Sequence, residues 1–338
     1  MAVYTSLFGY RWRLISTAIA SLMICGCMPR LPDTWTSNYS GTFRVPTHIR
    51  TGRFKRDYHL HIPPGYDGTR RLPLVVVVHG AFDNAKGMAK FTGFSALADD
   101  ENFIVLYPNG IGILGYLQHW NAGHCCGKAQ ADQIDDVGFV AAAIEDATRR
   151  LNVNHRRIFM LGFSNGGMFA YRFAAERGEM LAGFAALAAS IGSRTPDTKT
   201  EWQLPEPPRP IPLLIMHGTD DHSVPFHGKQ SQRPGEPRYY KSVAQSAAFW
   251  RSRNGCDKAE PPRLLSNGAV RLTQWSDCTG HAPVWLYVLQ DWGHVWPGPY
   301  FTAALEDRHP LKGFDAAKII WDFFKQLPDA PGAGAGQP

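Results

Sequence analysis

Short apolar runs alternate with longer amphipathic stretches along this chain. Apolar residues run unbroken over 74–78 and 103–107, and nearly so over 157–162, 183–188, 213–217 and 284–289. Runs of this length between turn residues suit strands buried on both faces of a parallel sheet. Tyr58-His59-Leu60-His61-Ile62 alternates like a strand, and 63–68, "PPGYDG", reads as a turn. Apolar positions recur at helical spacing over 137–151, with Asp135 or Asp136 available as a cap, and 241–253 and 314–326 read as further helices. Strands alternating with helices imply an α/β fold, a mainly parallel central sheet with helices on both faces. The pattern shows no internal repeat, and 54–327 is expected to form a single α/β domain.

The ends differ from this pattern. Arg11 and Arg13 precede an apolar run over 14–24 that is too short to span a bilayer comfortably. Basic start, apolar middle and small residues before a break describe an export signal. The run closes as Ile24-Cys25-Gly26-Cys27, which resembles the bacterial lipobox, in which a cysteine after a small residue is lipidated. Cys27 fits that pattern, whereas Cys25 follows the bulky Ile24; an ordinary signal peptide with two incidental cysteines is the alternative. The expectation is a lipoprotein-type signal peptide at 1–26, an anchor at Cys27, a Pro/Ser/Thr-rich tether over 27–53 and a disordered Ala/Gly/Pro tail at 328–338. The protein is then exported: an envelope lipoprotein, periplasmic or associated with the outer membrane, or a secreted protein.

Charge adds an exclusion. The formal net charge of +6 falls to +4 once Arg11 and Arg13 leave with the leader, and no basic block carries interleaved aromatics, so nucleic acid is not an expected partner. Export permits disulfides. Cys256 and Cys278 flank a polar, turn-rich segment, and pairing them would close a loop worth about 3 kcal/mol in the chain-entropy account. Cys125 and Cys126 are adjacent and form either a vicinal disulfide or two thiols. His124 is the only metal-ligand type nearby, so neither metal nor organic cofactor is expected.

The chemistry lies at the strand ends. The sequence "GFSNGGM" places Ser164 between an apolar run and a helical stretch, the strand-turn-helix setting of a nucleophile elbow; a helix cap is the plain alternative. The strand over 213–217 ends in "HGTDDHSVP", and that over 284–289 leads into "QDWGHVWPG". In a parallel sheet such ends share one edge. A serine hydroxyl needs a base, and the base needs a carboxylate to fix its tautomer. Serine, acid and histidine also follow in the chain order of α/β-hydrolases. His294 is the leading base, with His222 and His281 open as alternatives.

The pieces "VVVVHG", "WNAGHCCG", "DDVGFV", "GFSNGGM", "HGTDDHSVP" and "GHVWPG" reach from about residue 58 to 325 in one order. Together they resemble the secreted serine esterases that include polyhydroxybutyrate depolymerases and feruloyl esterases. The resemblance implies an α/β-hydrolase fold and a Ser164–His294–Asp221 triad, with Asp220 the competitor for the acid. It also implies an oxyanion hole of the Asn165 and Ala81 N–H groups, Phe82 being the alternative to Ala81. "WNAGHCCG" then either shapes the pocket through Trp120 and the Cys125/Cys126 turn or is a loop pinned by Trp120. Trp296 and Tyr300 are either an aromatic platform beside His294 or packing anchors. The implied substrate is a small-molecule or oligomeric ester, with the loops over 109–130, 192–212 and 228–239 shaping its pocket. A serine peptidase of the same fold and a non-catalytic binding protein on this scaffold are the competing readings.

Overall fold

The computed structural model describes residues 40–113, 116–196, 201–231 and 237–331; the expected leader at 1–26, Cys27 and the tail from 332 lie outside the described residues. The chain opens with β1 (Gly41–Thr51), β2 (Phe54–Ile62), β3 (Leu72–Val78) and β4 (Ile104–Pro108). A hairpin of β5 (Ile111–Ile113) and β6 (Tyr116–His119) leads to β7 (Val153–Phe163) and β8 (Gly183–Leu187). Next come β9 (Ser193–Arg194), β10 (Leu213–Gly218), β11 (Lys229–Gln230) and β12 (Tyr239–Tyr240). The last strands are β13 (Arg263–Leu265), β14 (Val270–Trp275) and β15 (Val284–Leu289). The central sheet has the order β1-β2-β4-β3-β7-β8-β10-β15-β14-β13. Its middle, from β4 to β15, is parallel, and antiparallel strands close both sides.

The helices are α1 (Ala85–Thr92), α2 (Phe94–Glu101), α3 (Gly127–Ala131), α4 (Asp136–Arg150), α5 (Asn165–Arg177), α6 (Val243–Arg253), α7 (Pro299–Thr302) and α8 (Ala316–Gln326). Two apolar layers explain the unbroken apolar runs. In β3, Leu74, Val76 and Val78 join the layer under α4, α5 and α6, while Val75 and Val77 point into the layer under α1, α2 and α8. Both faces of the strand are therefore dry, and no position in it has a use for a polar side chain.

Two expectations about the ends are corrected. The tether expected over 27–53 contains β1, which pairs antiparallel with β2 and buries Phe43 and Val45. One dry face suffices for an edge strand, so its composition stays polar. The tail expected from 328 docks at its start: the Ala330 N–H donates to the Arg156 carbonyl, and Arg156 Nε donates back to the Ala330 carbonyl, at 2.8 and 3.0 Å. Cys256 and Cys278 bring their sulfurs to 2.10 Å, and Cys125 and Cys126 pair with each other.

Beneath the sheet edge lies a buried ion pair. Arg56 Nη2 stands 2.7 Å from Asp136 Oδ1, with both side chains essentially inaccessible. Asp135 accepts from the Gly138 N–H and so caps α4, which frees Asp136 to point inward. Arg56 also donates to Thr51 Oγ1 and the Asn109 carbonyl and stacks on Phe139 at 4.0 Å. Burial pushes the Asp136 carboxyl up and the Arg56 guanidinium down, and each is opposed mainly by the charge of the other. Removing one member strands a charge in an apolar layer, which costs about 3–5 kcal/mol. Arg56→Met should therefore lose that much in urea unfolding, and Arg56→Met with Asp136→Leu should recover most of it. Equal stability of the single variant and the parent would show that the pair carries no structural role.

Candidate active site

The β7–α5 junction turns sharply at Ser164, whose backbone sits at φ 55 and ψ −122. A positive φ at a residue with a side chain is strained and persists only where the surroundings hold it. Here the Ser164 N–H donates to the Leu187 carbonyl, and the Ser164 carbonyl accepts from the Met168 N–H, both at 2.9 Å. The turn closes because its flanks lack side chains. A Cβ on Gly162 would lie 2.1 Å from the Gly166 carbonyl oxygen, and one on Gly166 would lie 2.3 Å from that of Val78. Phe82, Ala188 and Asp291 also have positive φ, near 68, 49 and 55. All three lie on loops at the carboxyl ends of β3, β8 and β15, the edge that presents Ser164.

The structure brings Ser164, His294 and Asp221 together. Ser164 Oγ is 2.8 Å from His294 Nε2, and His294 Nδ1 is 2.7 Å from Asp221 Oδ2. Asp221 is buried, with its Oδ1 accepting from the N–H groups of Ser223 and Val224 at 2.9 and 2.8 Å. Asp220 points outward and pairs with His222 at 3.2 Å, so neither joins the constellation; His281 lies elsewhere, after β14. The acid and histidine loops are stitched to each other. The Asp220 N–H donates to the Trp292 carbonyl, and the Asp291 N–H donates to Thr219 Oγ1.

His217 is a partner that the sequence did not reveal. Its Nε2 lies 2.8 Å from the Val224 carbonyl and 3.3 Å from Asp221 Oδ2. Burial alone would raise the Asp221 carboxyl, but hydrogen bonds from His217 and His294 outweigh it and hold the group well below the usual carboxylate range. Because the folded value is depressed, the stabilisation is complete above the unfolded carboxylate range and is lost as pH falls through the folded value. Parent and Asp221→Asn should therefore differ most in urea stability at neutral pH, and the gap should shrink on acidification from about pH 5 downward. A gap independent of pH would mean that the carboxylate charge is not what stabilises this loop.

The loop after β3 forms the opposite wall. The Phe82 N–H donates to the Gln118 carbonyl at 2.8 Å, which removes it from the oxyanion role, whereas Ala81 lines the cleft beside Ser164. Asn165 contributes more than its N–H. Its side chain accepts from the Trp120 N–H and donates to the Trp120 carbonyl, at 2.8 and 3.1 Å. Trp120 Nε1 donates to the His79 carbonyl, at 3.0 Å. Burial pushes the His79 imidazole down to about 4, so it stays neutral; Nδ1 lies 2.7 Å from the Gly80 carbonyl and Nε2 accepts from the Gly110 N–H.

The described cleft beside Ser164 holds about 340 Å³, and Ala81, Asp83, Phe91, Phe163 and His294 stand around it. The platform and pocket readings are corrected here. Trp120 and Trp296 are fully buried, Trp120 against Phe169 and Trp296 near Phe91 and Phe163, so neither offers a ring face to a ligand. Tyr300 is half exposed but packs on Phe301, behind Phe91. The Cys125/Cys126 turn is buried under the loop over 201–204, with Trp202 against His124, and does not line this cleft.

Comparison with known proteins shows what this chain is similar to. Residues 56–193, which include Ser164 but neither Asp221 nor His294, match the family model described as esterase PHB depolymerase. The chain is 28% identical over 259 residues to the putative esterase NocK of Nocardia uniformis subsp. tsuyamanensis, covering 73% of this chain and 72% of that one. It is 27% identical over 267 residues to feruloyl esterase B of Piromyces equi, covering 78% of this chain but only 44% of that longer protein. The acetyl xylan esterase of Aspergillus awamori superposes with a TM-score of 0.56 at 14% identity, covering 76% of this chain and 94% of that one, a likeness that speaks for the fold alone. With the sheet order and the strand-end edge already described, the chain has the α/β-hydrolase fold, and what it resembles over 56–193 and in these relatives is esterases of the PHB depolymerase and feruloyl esterase kind.

Proposed function

We propose that the protein is a serine carboxylic-ester hydrolase working through an acyl-enzyme on Ser164. The observation that carries this reading is the unbroken relay from Ser164 Oγ through both His294 nitrogens to Asp221. Ser164 Oγ attacks the ester carbonyl carbon while His294 Nε2 takes its proton. Asp221 fixes the tautomer with Nδ1 protonated and stabilises the imidazolium. The N–H groups of Ala81 and Asn165 receive the oxyanion, a role worth about 10²–10³ in turnover where one donor has been removed. The tetrahedral intermediate collapses, and His294 returns the proton to the departing alkoxide, which leaves as the alcohol. A water then repeats the sequence in reverse, with His294 as base, releasing the carboxylic acid and free Ser164.

Relatives named as feruloyl esterases and a family named for a polyester support an ester of the feruloyl, acetyl-sugar or hydroxybutyrate kind. The residues around Leu14–Cys27 support export and a lipid anchor on Cys27. Cys27→Ser should move the protein from the membrane fraction to the soluble one. Unchanged fractionation would remove the anchor from this reading.

Ser164→Ala should lower ester hydrolysis about a millionfold and abolish labelling by a fluorophosphonate. His294→Ala should lose a similar amount, and the double variant little more, because neither group works without the other. Asp221→Asn should lose about 10⁴-fold, while Asp220→Asn stays near the parent rate. Probe labelling and parent-like turnover in Ser164→Ala would make this serine a helix cap only.

A further inference from the structure

Asp83 is the one acidic residue that lines the described cleft. It sits two residues past Ala81 on the wall facing Ser164 and His294. Its backbone is fixed: the Asp83 N–H donates to the Gly80 carbonyl at 3.4 Å, and Asp83 bridges to Gln118 of β6. Its carboxylate, by contrast, has no ion-pair partner or side-chain donor among the described residues. Burial raises this carboxyl above its usual range, opposed only by the neighbouring Asn84 N–H.

A second observation concerns the helix beside it. Gly87 lies inside α1, where glycine costs stability relative to alanine. A Cβ there would come within 1.9 Å of Asp83 Oδ1 and 2.8 Å of its Cγ. The glycine thus leaves room for the carboxylate at this wall. Nothing in the acyl-transfer steps uses it, because Ser164, His294, Asp221 and two N–H donors complete that chemistry.

An acceptor whose only protein donor is the adjacent Asn84 N–H, in a cleft that a ligand fills, loses water on binding and regains that interaction only if the ligand supplies a donor. Resting on the esterase reading above, we propose that Asp83 selects hydroxy esters: substrates with a free hydroxyl, on the acyl or the alcohol side, that donates a hydrogen bond to its carboxylate. Phe91 and Phe163 supply apolar contact for the carbon skeleton, and Asp83 supplies the polar discrimination.

Two matched pairs test this and separate the two sides: methyl 3-hydroxybutyrate against methyl butyrate, and glycerol monoacetate against propyl acetate. In the parent, kcat/KM should favour the hydroxylated member of at least one pair by about 10- to 100-fold, as expected for a hydrogen bond to a charged group. Asp83→Ala should bring that ratio to near one. The change should appear mainly in KM, because a contact present in both ground and transition states is uniform binding. Gly87→Ala is the second variant: it favours the helix yet displaces the carboxylate, so it should erode the same ratio. A parent active on the esters without preference in either pair would overturn the inference alone. So would an Asp83→Ala variant that slows all four esters with the ratio intact, since that is a structural role. A parent inactive on all four would overturn the esterase reading and this inference with it.

Discussion

Everything at the sheet edge depends on how closely the β7–α5 turn approaches β3. The Gly166 Cα sits against the carbonyls of Val78 and His79, a position that no side chain tolerates. That approach places Ser164 beside the loop carrying Ala81 and directs the start of α5 at the space between them. The strain at Ser164 is held by hydrogen bonds to Leu187 and Met168, which are parts of the sheet and the helix themselves. Strain of this kind costs on the order of 1–3 kcal/mol per residue, and it persists here because the scaffold on both sides is fully packed.

Behind that turn lies a buried polar layer, and its economy explains why the motifs are so long. Asn165 ties the turn to Trp120, Trp120 ties to His79, and Asn121 reaches Asp136, which faces Arg56 on β2. Each link satisfies groups that would be costly to bury alone. "WNAGHCCG" and "DDVGFV" are therefore two halves of one support, and their tryptophan and aspartate lie beneath the turn that carries Ser164.

Legibility followed burial. The strand over 74–78 was plain because both of its faces are dry, and Ser164 and His294 were plain because glycines and strand ends mark them. β1 reads as tether because an edge strand with one buried face carries threonine, arginine and a proline. The acid was ambiguous between neighbours, since only the fold decides which of Asp220 and Asp221 turns inward. Trp296 is the same letter whether it stacks on a ligand or fills a core, and only its packing against Phe91 and Phe163 separates the two. Asp83 leaves no signal at all: its setting depends on Gly87, inside a helix whose apolar stripe is too short to read from the sequence.

The wall that carries Ala81 and Asp83 is also registered, through the Phe82 and Asp83 contacts to Gln118, on the β5–β6 hairpin. That hairpin lies outside the central sheet and presents Ile113, Tyr116 and Leu117 to solvent. Its length is thus free of the constraints that fix the strands. Insertions or deletions in it would leave the anchoring register at Gln118, and with it the wall facing Ser164, in place. The fold keeps its sheet edge and this exposed hairpin on separate pieces of chain, so one can diversify without the other.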